Sequence, residues 1–210
     1  MNRLLIGVLA MATVVVASNI LVQFLYGNWL TWGAFTYPIA FLVNDVMNRV
    51  YGVAMARRVV LAGFVTGVIC SLIGTQIMLQ GDGFTYPAVT LRIAIGSGLA
   101  FLTAQMLDIA IFDRLRAGQW WRAPLASTLI GSAIDTALFF SIAFSARLSF
   151  LEPANDVSWA GEVVPMLGQG PAAPLWVSLA VADWLVKLAL ALVALVPFRI
   201  IVRRLMAPVA

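Results

Sequence analysis

The sequence predicts an all-α membrane protein, a bundle of six transmembrane helices with both ends in the cytoplasm. Three observations lead there. Hydrophobic residues make up 62% of the chain and charged residues only 10%, against roughly 25% charged in a soluble domain. Six stretches are long and apolar enough to cross a bilayer, which takes about 20 residues. Lysine and arginine fall almost wholly on one side of those stretches, as the positive-inside rule requires. At 210 residues the chain reads as a single domain, 1–210.

The spans are 4–25, 32–51, 59–79, 88–108, 124–148 and 175–198. Their runs are continuous and too long for the alternating ten-residue strands of an outer-membrane barrel. The first is about 22 residues, longer than the 7–15 residue core of a cleaved signal. The second is the least apolar, because Asn44, Asp45, Asn48 and Arg49 occupy its last third. With the N-terminus inside, the inner segments collect Arg3, Arg49, Arg57, Arg58, Arg114, Arg116, Arg122, Arg199, Arg203 and Arg204; the outer ones hold only Arg147. Outer segments carry Asp82, Glu152, Asp156 and Glu162 instead. Segments 27–31 and 80–87 read as short outer turns, 52–58 and 112–123 as basic inner loops, and 149–174 as a long outer loop. Trp120 and Trp121 stand beside Arg122 at a helix start, where tryptophan anchors to the membrane interface.

A charge at the bilayer centre costs about 2.5–3.5 kcal/mol on insertion scales, so its presence asks for a partner or a cavity. Asp45, Arg92, Asp108, Asp135, Asp183 and Lys187 all fall inside spans. Counting along the helices puts Asp45, Asp135 and Lys187 near mid-membrane, Arg92 in the outer quarter and Asp108 near the inner edge, where snorkelling is the simpler reading. Asp183 and Lys187 are spaced i, i+4 and share a face, as do Asn19 and Gln23. Ser127, Thr128, Gly131, Ser132 and Asp135 fall on one side of the fifth helix. Several helices thus offer polar faces that fit a central pocket, although Asp183 with Lys187 also reads as a structural ion pair. Gly96, Ala100 and Ala104 form a small-residue ridge for close helix packing, within the bundle or across a homodimer.

The inventory also excludes. There is no histidine and one cysteine, Cys70, so an internal disulfide, a Cys/His metal cluster and histidine-based catalysis are ruled out. No phosphate-binding loop is present, and the basic clusters follow topology, not a nucleic-acid surface. The expectation is a transporter or binder of a small solute and not an enzyme, with no cofactor, no metal and no nucleic-acid partner.

Particular segments add to this. SNILVQ (18–23), TWGAFTYPIAFLVNDVMNRVYG (31–52), LRIAIGSGLAFLTAQMLDIAIFDRLR (91–116), WWRAPLASTLIGSAIDTALFFSIAF (120–144) and DWLVKLALALVALVP (183–197) closely resemble the bacterial queuosine precursor transporter family, also called vitamin-uptake-like. The resemblance covers most of the chain outside 149–174 and the tails. It implies import of 7-deazaguanine bases, chiefly 7-cyano-7-deazaguanine, across the bacterial inner membrane. A guanine-like edge presents N–H donors beside a carbonyl. A carboxylate, Asp45 or Asp135, suits the donors, while amides or cations suit the oxygen. The expected site is Asp45, Asn44, Asn48, Gln105, Asp135, Asp183, Lys187, Arg92, Asn19 and Gln23, with Trp32 and Phe35 stacking on the ring. The alternative is a substrate-binding subunit of an energy-coupling-factor importer for a vitamin-like solute.

Overall fold

The computed structural model describes residues 3–81 and 83–207; Asp82, one of the expected outer acids, lies outside them. Five long helices dominate: α1 (Arg3–Leu21), α4 (Val53–Gly74), α5 (Leu91–Leu115), α6 (Arg122–Phe144) and α7 (Leu175–Met206). Between the first two run the short α2 (Gly33–Thr36) and α3 (Ile39–Tyr51). Three two-stranded antiparallel hairpins close one end of the bundle: β1–β2 (Leu25–Tyr26, Leu30–Thr31), β3–β4 (Met78–Gly81, Phe84–Pro87) and β5–β6 (Val163–Pro165, Ala172–Pro174). They occupy the three segments expected as outer connections. The long loop is therefore structured, with 3-10 turns at Ala146–Leu151 and Ser158–Gly161 beside β5 and β6. Just before the latter turn Asp156 accepts the Ser158 N–H at 2.8 Å and hydroxyl at 3.0 Å; these bonds hold its carboxyl below the usual range.

By length and composition the five long helices can each cross a membrane. The span expected over 32–51 takes a different form. Pro38 has no N–H to continue the α-helical ladder, and the following donors tighten: Ala40 bonds to Tyr37 and Phe41 to Pro38. The backbone of Tyr37 and Pro38 stays in the helical region, so the result is a kinked rod in two pieces. It runs antiparallel to α1. The Gly33 end approaches Val22, and the Met47 end approaches Gly7, about 22 Å away along α1 at 1.5 Å per residue. Gly52, at φ +85, then turns α3 directly into α4, a conformation open to glycine at little cost.

All five long helices touch α3, which explains its composition. A helix sheathed by protein needs no lipid-facing apolar surface, so Asn44, Asp45 and Asn48 are buried there with Phe41 and Met47. The ridge of Gly96, Ala100 and Ala104 lies in the α5–α6 contact, not on an outer face. Position 96 adjoins Ile142 and the Phe139 carbonyl, and Gly131 meets the Ala104 carbonyl. A main apolar core of Met11, Val15, Met47, Val59, Val60 and Phe101 joins α1, α3, α4 and α5. Leu61, Val65, Leu72, Leu192, Val193 and Val196 point outward, as lipid-facing residues do.

Most of the basic residues gather at the end opposite the hairpins, with Arg92, Arg147 and Lys187 the exceptions. Arg3 lies 5.7 Å over the Tyr51 ring, Arg199 lies 4.5 Å over Trp120, and Arg49 donates to the Arg116 carbonyl at 2.6 Å.

Candidate functional site

Two polar nests lie inside the bundle. The first joins α6, α7 and the Tyr37 kink. Lys187 is 4% exposed, and its Nζ lies 2.7 Å from Asp135 Oδ2, 2.6 Å from Asp183 Oδ2 and 2.9 Å from Thr136 Oγ1. Tyr37 donates its hydroxyl to Asp135 Oδ1 at 3.0 Å, and Thr136 donates to Asp183 Oδ2 at 2.8 Å. The i, i+4 spacing of Asp183 and Lys187 does place them together, and α6 supplies the second carboxylate. Every hydrogen-bonding atom named here has a partner. Beside the triad, however, the Trp184 indole Nε1 is buried without one.

The second nest joins α3, α5 and the first turns of α6. Asn44 Nδ2 donates to Asp108 Oδ2 at 3.0 Å and to the Gln105 carbonyl at 3.1 Å. Asp45 receives only long bonds from hydroxyls, Ser127 at 3.4 Å and Thr128 at 3.3 Å. The Asp45 and Asp108 carboxyls adjoin each other. Seven residues of α6 separate Thr128 from Asp135, so the nests stand about 10 Å apart along its axis.

The second nest is incompletely satisfied. Asn44 Oδ1, Asp108 Oδ1 and both amide atoms of Gln105 are buried without a protein partner, although their residues are 0% exposed. Buried polar groups are nearly always hydrogen-bonded, and leaving one unpaired costs about 1–3 kcal/mol. Four such atoms on two facing helices leave this nest with hydrogen-bonding capacity that the protein itself does not use.

The remaining expected residues are placed apart. Asn48, one turn beyond Asn44, donates to the Ile109 carbonyl, and Arg116 clamps its carbonyl and Oδ1, each at 2.7 Å. Arg49 faces Arg116. Arg92 is fully buried but turns to the end of α6, donating to the carbonyls of Ile142 at 3.1 Å and Ser145 at 2.7 Å. Asn19 bonds back to Val15, and the exposed Gln23 bonds to the Ala88 carbonyl. Trp32 and Phe35 pack with Tyr26 at the hairpin end, with ring centroids 5.0–5.9 Å apart, and Trp32 is 47% exposed.

Two clefts adjoin these groups. One of about 40 Å³, between α1, α4 and α5, is lined by Asn19, Tyr37, Ser71, Ser97 and Phe101. The other, about 10 Å³, lies beside Asp45 and Thr128 and is closed by Leu190 and Phe198. Ligand pockets run from about 300 Å³, so a bicyclic molecule enters either nest only as helices or side chains move.

Sequence reading left Asp108, Tyr37 and Thr136 outside the expected site. Asp108 reads as an interface residue by depth alone, but it lies three residues after Gln105 on one helical face, and that pairing was the available signal. Tyr37 precedes a proline inside an apolar span, a place where a helix kink exposes a side chain inward. Among the described residues, no group of three or more His, Cys, Asp or Glu is arranged to hold a metal.

The fold and its buried nests define a helical, multi-pass membrane protein with a polar centre. The chain belongs to the family described as "Putative vitamin uptake transporter", which it matches over residues 31–202. It is 38% identical over 141 residues to the "Queuosine precursor transporter" of Escherichia coli (strain K12), covering 62% of this chain and 64% of that protein. It is 36% identical over 121 residues to the "Probable queuosine precursor transporter" of Haemophilus influenzae (strain ATCC 51907 / DSM 11121 / KW20 / Rd), covering 54% and 52%. A Bacillus subtilis (strain 168) protein of the same description is 26% identical over 185 residues, 81% of this chain and 71% of the relative. The chain thus spans less than two thirds of the length of the first two relatives. The resemblance read from the five sequence segments is borne out. No solved structure matches.

Proposed function

We propose that this chain imports queuosine precursors across the bacterial inner membrane, chiefly 7-cyano-7-deazaguanine, through six crossings with both ends in the cytoplasm. The kinked α2–α3 rod is the sixth crossing. The gathering of arginines opposite the hairpins supports the orientation, and the names of the relatives support the substrate class.

The observation that carries the reading is the set of unpartnered atoms on α3 and α5. A guanine-like edge offers two kinds of N–H donor and a carbonyl acceptor. Asp45, with only long hydroxyl bonds, accepts the donors; Gln105 Nε2 serves the carbonyl, and Gln105 Oε1 with Asn44 Oδ1 accepts what remains. Trp32 and Phe35 offer a stacking surface at the outer mouth, where a base stacked on an aromatic ring gains about 1–3 kcal/mol. The Asp135–Lys187–Asp183 triad ties α6 to α7 and the Tyr37 kink, so opening it is the step that lets a base pass.

The test is genetic. In a strain unable to make the precursor, queuosine in tRNA depends on import. Asp45→Asn and Asp135→Asn, expressed at normal levels, should each abolish it. Undiminished queuosine with both variants removes this assignment of the site.

A further inference from the structure

We propose that Asp45 and Asp108 hold one exchangeable proton between them, and that import is coupled to that proton moving inward. This rests on the import reading above and adds its driving force.

The geometry is specific to this pair. The carboxyls come from different helices, α3 and α5, and are 3% and 0% exposed. They contact each other, and their further side-chain partners are the neutral Asn44, Ser127 and Thr128. Among the described residues neither has a salt bridge. Two carboxylates in contact, dehydrated and without a cation, repel unless a proton lies between them. The unpartnered acceptors Asn44 Oδ1 and Asp108 Oδ1 point the same way. Every carboxylate oxygen is an acceptor, the Ser127 and Thr128 hydroxyls are already directed at Asp45, and protonation of a carboxyl supplies a further O–H donor.

The other charged groups on the elements around α3 are committed elsewhere. Lys187 and Asp183 on α7 and Asp135 on α6 bind one another. Arg49 and Arg116 bind backbone carbonyls beyond Asn48, and Arg116 also pairs with Asp113. Arg92 lies on α5 at the far end of α6. Arg3, Arg57 and Arg58 on α1 and α4 are exposed, as are Arg114, Arg122, Arg199, Arg203 and Arg204. Tyr37 is bonded to Asp135.

The step balances simply. An O–H bond forms on one carboxyl with a proton from outside and breaks when that proton is released inside, with no change of oxidation state. The protonated pair retains one charged carboxylate to accept the base's N–H donors. A base without a proton leaves both charges in contact as the site closes, and that coupling makes the doubly loaded form the one that crosses. The cleft beside Asp45 has about the room of one water and offers the proton a way toward Phe198 and the basic end.

The experiment uses the purified full chain in vesicles with labelled 7-cyano-7-deazaguanine and the membrane potential clamped at zero. With the outside one pH unit more acid, the wild type should accumulate the base about tenfold, the limit for one proton per solute. Asp45→Asn and Asp108→Asn should lose that accumulation. In infrared spectra of the wild-type protein, the stretch of a protonated carboxyl should be present and should vanish in either variant. Entry that only equilibrates, whatever the pH difference, overturns the coupling and leaves the import reading standing. No entry of the base at all overturns both. A carboxyl band, or pH-driven accumulation, that survives Asp108→Asn but is lost in Asp183→Asn places the proton on the triad and overturns this assignment.

Discussion

Replacing Lys187 by methionine keeps most of the side-chain volume but removes the cation between two buried carboxylates. Asp135 Oδ2 and Asp183 Oδ2 lie within 2.7 Å of the same nitrogen, so they stand at most about 5 Å apart. At an effective dielectric of about 20, two unit charges at that distance repel by about 3 kcal/mol. Only the hydroxyls of Tyr37 and Thr136 remain to solvate them. The expected loss for Lys187→Met is therefore about 3–5 kcal/mol, the range for breaking a buried pair by removing one partner. Neutralising all three positions, Lys187→Met with Asp135→Asn and Asp183→Asn, should return stability to within about 1 kcal/mol of the wild type, since an intact buried triad is worth little against neutral packing. Equilibrium unfolding in detergent micelles, followed by tryptophan fluorescence, measures both. Acid should narrow the deficit of Lys187→Met, because protonating the orphaned carboxylates removes their repulsion. Wild-type stability in the single variant, or no recovery in the triple, would show that the triad is not a closed electrostatic unit.

Three further outcomes follow from packing and topology. Gly131→Ala should destabilise by about 1–3 kcal/mol, because the added methyl stands 2.9 Å from the Phe41 ring and 3.3 Å from the Ala104 carbonyl; Gly67→Ala, whose methyl meets only Val15 at 3.5 Å, should be neutral in the same unfolding assay. Arg92→Met should lower stability by about 1.5–3 kcal/mol for each lost charged bond to the Ile142 and Ser145 carbonyls, and Arg92→Lys should recover less than half of that loss. In a Cys70→Ser background, a cysteine at Asn28 should react with an impermeant thiol reagent added to whole cells, and one at Gly118 should react only after the membrane is opened; the reverse pattern inverts the proposed orientation.

How much of this was legible in the sequence depends on which surface a residue faces. Helices that touch lipid must be apolar along their length, so the five long helices could be read from hydropathy, with ends off by as much as eight residues. The stretch expected as a span over 32–51 was legible as helical but not as two short helices, since hydropathy says nothing of Pro38's missing N–H. Asp183 and Lys187 could be paired because both lie on one helix, where spacing determines contact. Asp135 could not be added to them, because the α6–α7 crossing is tertiary. The partners of Arg92 were out of reach for a related reason. A buried arginine in an apolar run reads as a ligand group, whereas here the open carbonyls at the end of α6 take it up, a demand that exists only once the helices are packed.

The two nests differ in the property that decides what each can do. The triad of α6 and α7 consumes its own hydrogen-bonding capacity, so it holds helices together and gives way only as a unit. The nest of α3 and α5 keeps four buried atoms unspent and places two carboxyls in contact without a cation. Such an arrangement is costly in an empty, closed protein, and selection for stability alone would replace it with apolar packing. Its position explains why it can persist. α3 is the one helix sheathed by all the others, so its polar face meets no lipid, and the kink at Pro38 links it to Tyr37 and hence to the triad 10 Å away along α6. In the proposed import cycle, a ligand that satisfies the α3 nest acts on the same rod whose kink residue, Tyr37, bonds Asp135. In that cycle, binding at one nest would thereby be connected, through a short chain of named contacts, to the triad at the other.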